Sequence, residues 1–518
     1  MSIAAGYRVR ETPKELALDD GDLSLTWEAL NLVLNRAINR LHALGVEPGD
    51  RVGVYANNSA EAVVAYLASI LGGASVVPIN AHLTSEELDY ILRRARPKLL
   101  FVGPETAPAA VEVARVTGGA TVVGWRSALD DVESWETFLD AGAPSEPRID
   151  FPPAPQLHFT SGTTGRPKAV ETPPTIVPRL STISDYVAFL ATRADVARLS
   201  PNIVVGPLYH AGPLAAVRAV LGGTTLIVMR RFDAEGFLAA VAQHGVQSAA
   251  MSPVHFERLL ALPPSVRNKY DVSSVRLITH TGSACQVETK RRMIDWFGPV
   301  FREFYGATEA GITNAIDTAE WLRKPGSVGR TLSPYEPVIV SEEGLTQGAN
   351  VQGVIYFKDT TGRGVIYDGD AEATAKAHIA PGVFTLGDVG FVDEEGYLFI
   401  TDRASDMIIS GGVNIYPAEI EQVLLAHEAV ADVAVIGVPH PEMGEAVKAL
   451  IVPKPDIVAV DFDALSSFCR SRLAGFKCPR SYELRPEIER NAFGKINKRE
   501  LRKPYWTTAG AMSKAPVA

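Results

Sequence analysis

The sequence predicts an α/β protein, with a large N-terminal part built on helix-flanked, mostly parallel sheets and a smaller α+β part behind it. Three observations lead there. Apolar residues at helical spacing alternate with short β-rich runs from Leu25 to Thr279. The pattern turns antiparallel between Gly387 and Ile400, around a turn at Glu394-Glu395-Gly396. A compact set of mixed elements then follows Asp402.

Taken in order, Leu25–Leu44 carries apolar residues at helical spacing and Asp50–Tyr55 reads as a strand. A helix over Ala62–Leu71, a strand over Ser75–Ile79, a helix over Ser85–Arg94 and a strand over Lys98–Val102 continue the alternation. A second series starts with a strand at Asn202–Pro207, a helix at Gly212–Leu221 and a strand at Thr224–Met229. It goes on through a helix at Ala234–His244 and strands near Ser248–Met251 and Ser274–Thr279. Two similar sheet-and-helix halves follow from this, without a detectable sequence repeat. Beyond Asp402 come a helix near Pro417–Ala426, strands at Val430–Gly437 and Ala446–Val452, and a helix at Phe462–Arg472. The domain boundary therefore falls at residues 401–406, dividing the chain into 1–401 and 402–518. The small, polar stretch Thr507–Ala518 reads as a frayed end.

Composition narrows the class. With 518 residues, the chain is long enough for several domains at roughly 100–200 residues each. Hydrophobic residues make up 46% and charged residues 21%, which excludes global disorder. Fifty Lys plus Arg against 60 Asp plus Glu give a net charge of −10, the wrong sign for a nucleic-acid binder. Three cysteines, Cys285, Cys469 and Cys478, form neither a disulfide framework nor a metal-ligand spacing, as expected of a reducing cytoplasm. Met1–Glu11 lacks the basic-then-apolar pattern of a secretory signal. The most membrane-like stretch, Ala62–Ile79, is interrupted by Gly72-Gly73 and ends at Pro78, so it reads as helix plus strand rather than a transmembrane span.

Chemistry concentrates in Thr160-Ser161-Gly162-Thr163-Thr164-Gly165-Arg166-Pro167-Lys168, directly after the apolar run Leu157-His158-Phe159. Hydroxyls and bare backbone N–H groups are donors to phosphate oxygens, and Lys168 adds a cation. The spacing is not that of a Walker loop, because Arg166-Pro167 separates the last glycine from the lysine. A Ser/Gly surface turn is the bland alternative, made weak by so many adjacent hydroxyls and glycines closed by Pro-Lys.

This motif resembles that of the adenylate-forming superfamily: acyl-CoA synthetases, nonribosomal-peptide adenylation domains and beetle luciferases. The resemblance spans residues 20–505 and brings four further motifs in the family's order: Tyr305-Gly306-Ala307-Thr308-Glu309, Phe384-Thr385-Leu386-Gly387-Asp388, Asp402-Arg403-Ala404-Ser405-Asp406 running to Gly411-Gly412, and Asn491-Ala492-Phe493-Gly494-Lys495-Ile496. It implies a β-barrel-like subdomain at the end of the large domain and a mobile C-terminal domain. It also implies ATP, Mg²⁺ and CoA, with a small-molecule carboxylic acid as the other substrate. Under the resemblance Glu309 is the Mg²⁺ ligand, Thr308 the partner of the α-phosphate and Lys495 the catalytic cation. Asp388 takes the ribose hydroxyls, with Arg403 in support. Gly282-Ser283-Ala284 borders the adenine and acyl group, and His210, in Pro207-Leu208-Tyr209-His210-Ala211-Gly212, walls the acyl pocket. Small residues at Gly282, Gly306, Ala307 and Gly311 leave room for a bulky acyl group. Standing alone, Asp388 could cap a turn, Lys495 could be a solvated charge and His210 a packing residue.

The stretch Ser410-Gly411-Gly412-Val413-Asn414-Ile415-Tyr416-Pro417 resembles that of CoA ligases, where glycines let backbone line a pantetheine tunnel after the domain rotates. Gly475-Phe476-Lys477-Cys478-Pro479-Arg480 resembles their basic segment near the CoA nucleotide, with a solvated surface charge as the equal alternative for Lys477. Two departures stand out. Ser405 occupies a hinge position that is usually Asp or Lys, and Ile488-Glu489-Arg490 stands where many relatives have Leu-Pro before the Arg. The function expected is activation of a carboxylic acid to acyl-AMP with release of pyrophosphate, then transfer to CoA. Transfer to an amine or a carrier-protein thiol is the alternative. The acid itself (fatty, bile-acid-like, steroid side-chain, aromatic or heteroaromatic) and the oligomeric state, a homodimer included, are left open at this level.

Overall fold

The computed structural model describes residues 8–117, 120–160, 167–192, 199–341, 343–403, 406–410, 413–440, 443–457, 459–473, 475–490 and 496–507. The chain divides into two compact units. The first comprises Met1–Arg323 and Arg363–His378, the second Lys324–Gly362 and Ile379–Ala518.

The first unit holds the two expected sheets. One is wholly parallel, in the order Ser75–Ile79, Arg51–Tyr55, Leu99–Val102, Thr121–Gly124 and Glu133–Ser134. The other runs from Leu16–Asp19 through Leu226–Val228, Asn202–Val204, Ser248–Met251 and Leu277–His280 to Phe301–Ala307, again in parallel. Antiparallel strands adjoin it at both ends: Ser24–Thr26 beside Leu16–Asp19 and Gly311–Asp317 beside Phe301–Ala307. Strands of this kind are buried on both faces, which is why they read as continuous Val/Ile/Leu runs rather than alternating ones.

The apolar stretch at Ala62 belongs to a helix over Ala60–Leu71, every residue of which is buried. Ser59 caps it by accepting from Ala62 N, and the carboxylate of Asp20 accepts from Ala60 N at 3.0 Å. At 1.5 Å per residue the helix is about 18 Å long, too short to cross a bilayer. Its hydrophobicity is that of a core helix. Among the described residues no helix is long and apolar enough to span a membrane.

The second unit begins with antiparallel strands in the order Tyr335–Val340, Gly353–Asp359, Val383–Val392, Tyr397–Arg403 and Ser327–Thr331. These strands stand where the β-barrel-like subdomain is expected. The turn foreseen at Glu394-Glu395-Gly396 is built by Asp393, whose Oδ1 accepts from Glu395 N and Tyr397 N at 3.0 and 2.9 Å. A second sheet follows in the order Val413–Ile415, Ile408–Ser410, Gly444–Pro453 and Val430–His440, with Ser481–Leu484 parallel to Gly444–Pro453. Helices Pro417–Leu425, Phe462–Arg470 and Lys498–Thr507 complete this α+β part.

Candidate active site

The phosphate-loop motif is spanned by a hairpin. Leu157–Thr160 and Lys168–Glu171 pair antiparallel, so that Thr160 lies directly opposite Lys168 at the base of the loop. Ser161, Gly162, Thr163, Thr164, Gly165 and Arg166 lie outside the described residues. The hairpin is anchored at its far end by Thr172, whose hydroxyl accepts from Gln156 N at 2.9 Å.

Glu309 arrives at this base from a different strand. Phe301–Ala307 and Gly311–Asp317 are joined by the tight turn Thr308-Glu309-Ala310, closed by Ala310 N to Ala307 O at 3.2 Å. The Thr175 hydroxyl donates to Ala310 O at 3.3 Å and ties the turn to the hairpin's exit. Thr160 Oγ1 then donates to Glu309 Oε1 at 3.2 Å. Residues 149 positions apart are thereby brought into hydrogen-bonding contact. The turn needs its glycines. Gly311 has φ +77°, and a Cβ at Gly306 would collide with the Gly311 carbonyl. Smallness at these two positions serves the backbone before it serves any acyl group.

A residue outside the sequence motifs completes this corner. Tyr367 places its ring 4.7 Å from Lys168 Nζ. Burial first, then the negative charge of Glu309, pushes the Tyr367 phenol well above its ordinary value, so it stays protonated. Among the described residues no group of three or more His, Cys, Asp or Glu side chains forms a metal cage. One carboxylate with no cage is nevertheless a donor set that suits Mg²⁺, which takes one or two carboxylates and completes its shell with waters and substrate phosphates. Thr308 sits half-buried in the same turn as Glu309.

The segment expected to wall the acid is built around His210. It is the N-cap residue of the helix Ala211–Leu221, yet its side chain makes no capping bond. Its ring lies 4.6 Å from that of Tyr209. The loop before it is held by Asn58, a residue that sequence reasoning missed. Asn58 accepts from Leu208 N at 2.8 Å and donates to Gly206 O and Met229 O at 2.9 and 3.1 Å. Behind His210 is a buried polar group: Arg218 Nη1 donates to Gln156 Oε1 at 3.0 Å, and His158 Nε2 is 3.4 Å from the same oxygen. Burial, followed by the charges of Arg218 and His210, pulls the His158 pKa down to about 3, so the ring is neutral. Gly282, with φ +98°, opens the Gly282-Ser283-Ala284 turn after the strand Leu277–His280. A Cβ at Gly212 would lie 3.7 Å from Thr281 Cγ2, so the start of His210's helix and this turn are neighbours.

Under that turn lies a buried ion pair. Lys290 Nζ and Glu303 Oε2 are 2.6 Å apart, His280 Nε2 is 3.6 Å from the same carboxylate oxygen, and Lys290 also stands 4.6 Å over the Trp321 ring. Burial drives His280 well below its usual pKa and raises Glu303, with Lys290 opposing the latter. The pair links the helix Val287–Phe297 to the strand bearing Tyr305.

The second unit presents Asp388, buried on Val383–Val392 and opposite Arg403 in the antiparallel register. Asp402 accepts from Ala418 N at 2.9 Å and so caps the helix Pro417–Leu425. Lys477 is held by both carboxylate oxygens of Glu419, at 2.8 and 2.7 Å. Lys498 is nearly buried and pairs with Glu421 at 2.9 Å. Ser405, Gly411, Gly412 and Lys495 lie outside the described residues, as does the frayed end expected beyond Thr507.

Comparison with known proteins accounts for this arrangement. Residues 7–364 match the model of the AMP-binding enzyme family, and residues 419–495 match that of the AMP-binding enzyme C-terminal domain. A feruloyl-CoA synthase from Amycolatopsis sp is 34% identical, covering 96% of this chain and 97% of that protein. A 3-[(3aS,4S,7aS)-7a-methyl-1,5-dioxo-octahydro-1H-inden-4-yl]propanoyl:CoA ligase from Mycobacterium tuberculosis is also 34% identical, over 95% of this chain and 96% of that one. Among solved structures, ATP-bound MatB from Rhodopseudomonas palustris superposes with a TM-score of 0.81 at 26% identity, covering 98% of this chain and 99% of that one. The hairpin and the acidic turn facing it lie within the first matched stretch and most of the C-terminal α+β part within the second, and the chain belongs to the AMP-binding enzymes as an acid–thiol ligase in the acyl-CoA ligase branch of the adenylate-forming superfamily.

Proposed function

We propose that the chain joins a bulky, ring-bearing carboxylic acid to CoA in two steps on Mg²⁺-ATP, with the large part of the chain holding nucleotide and acid and residues 402–518 supplying Lys495. The observation that carries the reading is the junction of Thr160, Lys168 and Glu309 at the base of the phosphate loop.

In the first step a carboxylate oxygen attacks the α-phosphorus, forming the acyl-phosphate bond while the bond to the bridging oxygen breaks and pyrophosphate leaves. Negative charge builds on both phosphate groups, and preorganised donors aimed at it lower the barrier. Mg²⁺ held by Glu309 would neutralise part of that charge. Lys168, the loop residues Ser161, Gly162, Thr163, Thr164 and Gly165, and Thr308 donate to phosphate oxygens, and Lys495 reaches the bridging oxygen and the acid. Asp388 and Arg403 hold the ribose, and Tyr305, Gly306 and Gly282-Ser283-Ala284 frame the adenine. His210 orients the acid's carboxylate. In the second step the CoA sulfur attacks the acyl carbon and AMP leaves with the electron pair. Gly411 and Gly412 let the pantetheine pass, and Lys477 exchanges Glu419 for a CoA phosphate.

The ring-bearing class of acid is supported by the acyl groups named for two relatives, the cytoplasm by three free cysteines. A panel of aromatic, steroid side-chain and fatty acids, scored for pyrophosphate release and AMP, tests the reading. The expected result is CoA-dependent turnover with AMP as the nucleotide product. Turnover with an amine or a carrier-protein thiol but none with CoA would overturn the second step. Lys495→Ala should slow adenylate formation by several orders of magnitude and largely spare thioester formation from supplied adenylate, checked by single-turnover kinetics.

A further inference from the structure

We propose that Lys498 is a positioning residue for the adenylation step, fixing through Glu421 the chain that leads away from Lys495. The proposal rests on the reading of Lys495 as the catalytic cation and deepens it.

Residues 491–495 run between two positions that the fold ties together. Arg490 and Ile496 form an antiparallel bridge, so the two ends of that stretch lie side by side. The entry is anchored by charge. Arg490 holds the Asp432 carboxylate with two nitrogens, Nη2 to Oδ1 at 2.6 Å and Nε to Oδ2 at 3.2 Å. Such a bidentate pair sets direction as well as distance. Just before it, Ile488 is buried against Ala434, Ile436 and Leu450.

The exit is anchored more deeply. Ile496 packs on the same cluster, and Lys498 opens the helix Lys498–Thr507. The Lys498 side chain is only 9% exposed, and its Nζ meets Glu421 Oε1 at 2.9 Å. Glu421 is itself held, because the same oxygen accepts from Val435 N at 2.7 Å. Its helix, Pro417–Leu425, is the one capped by Asp402. Burial alone would lower the Lys498 pKa, but the charge of Glu421 more than offsets it, so the ammonium stays charged. Further along the helix, Arg502 pairs with Glu445 at 2.8 Å and Trp506 Nε1 donates to Gly437 O at 3.2 Å.

Stability gives little reason for a buried pair at this point, since apolar groups of similar size are often as good or better. Direction does give a reason. A cation that meets charge developing on a phosphate must be placed closely, and a displacement of about 1 Å costs about a hundredfold in rate. Apolar packing at residue 498 would hold the helix while leaving its first turn free to slide. An ammonium aimed at one fixed oxygen sets that turn, three residues after Lys495.

Two half-reactions of the full-length protein test this: pyrophosphate release without CoA, and thioester formation from a supplied adenylate. The probes are the acid turned over fastest in the panel above and its synthetic adenylate. Lys498→Met alone would strand the Glu421 carboxylate, so the variant is Lys498→Met with Glu421→Gln, which keeps an acceptor for Val435 N. The first rate should fall about a hundredfold with KM for ATP little changed, while the second stays near wild type. Both rates are read on the same folded molecules, so their ratio does not depend on how much protein folds. A merely structural Lys498 leaves the ratio at its wild-type value. That result, with Lys495→Ala still collapsing the ratio, overturns the proposal and keeps the Lys495 reading. If Lys495→Ala leaves the ratio unchanged, the Lys495 reading fails and takes the proposal with it.

Discussion

Replacing Lys290 by Met removes one half of the pair buried beneath the Gly282-Ser283-Ala284 turn. The Lys290 side chain is 1% exposed and that of Glu303 10%. The two meet at 2.6 Å, so deleting the cation leaves a nearly buried carboxylate without its counter-ion. Breaking such a pair on one side costs about 3–5 kcal/mol, whereas replacing both partners by apolar groups is close to neutral. Lys290→Met should therefore lower the local opening free energy of the strands Leu277–His280 and Phe301–Ala307 by at least about 3 kcal/mol, which is about a 150-fold faster amide exchange. The remaining strain falls on Glu303, which takes up a proton because nearby His280 is itself held neutral by burial. Lys290→Met with Glu303→Met should recover all but about 1–2 kcal/mol. Hydrogen exchange read by mass spectrometry on peptides from the two strands measures both. A single variant costing under about 1 kcal/mol, or a double variant costing the sum of the singles, would refute the buried-pair argument.

Three further outcomes follow from the same kind of reasoning. Asn58→Leu leaves Leu208 N, Gly206 O and Met229 O without their partner, at about 1–3 kcal/mol per buried group. It should lower the melting temperature and raise KM for the acid more than KM for ATP, because the loop it holds leads to His210. His158 and His255 have folded pKa values of about 3 and about 4, against an ordinary 6.5. Between pH 6.5 and those values the unfolded chain binds more protons than the folded one, so stability falls as pH falls, by about 2 kcal/mol per histidine at pH 5. Urea unfolding from pH 7 to 5 should show that loss, reduced in His158→Gln. Lys477→Gln should change stability by under about 1 kcal/mol, since the Glu419 pair is half-exposed. Its KM for CoA should rise with adenylate formation untouched, as measured by separate half-reaction assays.

Local pattern made much of the fold legible. The helix Ala234–His244 was readable to the residue because its limits are written in side chains: Asp233 accepts from Gly236 N, and Gly245 takes the left-handed conformation at the C-cap. Ser75–Ile79 and Ser248–Met251 were equally plain. Leu25–Leu44 was less so. Its first residues form a strand, Ser24–Thr26, before Thr26 caps the helix Trp27–Ala43. That strand exists because it pairs with Leu16–Asp19, an event outside any window of helical period.

The sequence by itself determined the class of chemistry. The loop rich in hydroxyls and glycines points to phosphate through residue type, and the acidic turn at Glu309 enters through the resemblance of its motif to the adenylate-forming superfamily. Only the tertiary structure decided who meets whom. It put Thr160 against Glu309, Asn58 under the His210 loop, Lys290 on Glu303, and Tyr367 across from Lys168. Periodicity states which side of an element faces inward, and it carries no information on which distant strand will lie there. Tyr367 shows the difference most sharply. Nothing in Ile366-Tyr367-Asp368 marks it as a neighbour of the hairpin, and it becomes one through a bridge from Tyr367 to Val170 and a hydrogen bond from Asp368 N to Ala169 O.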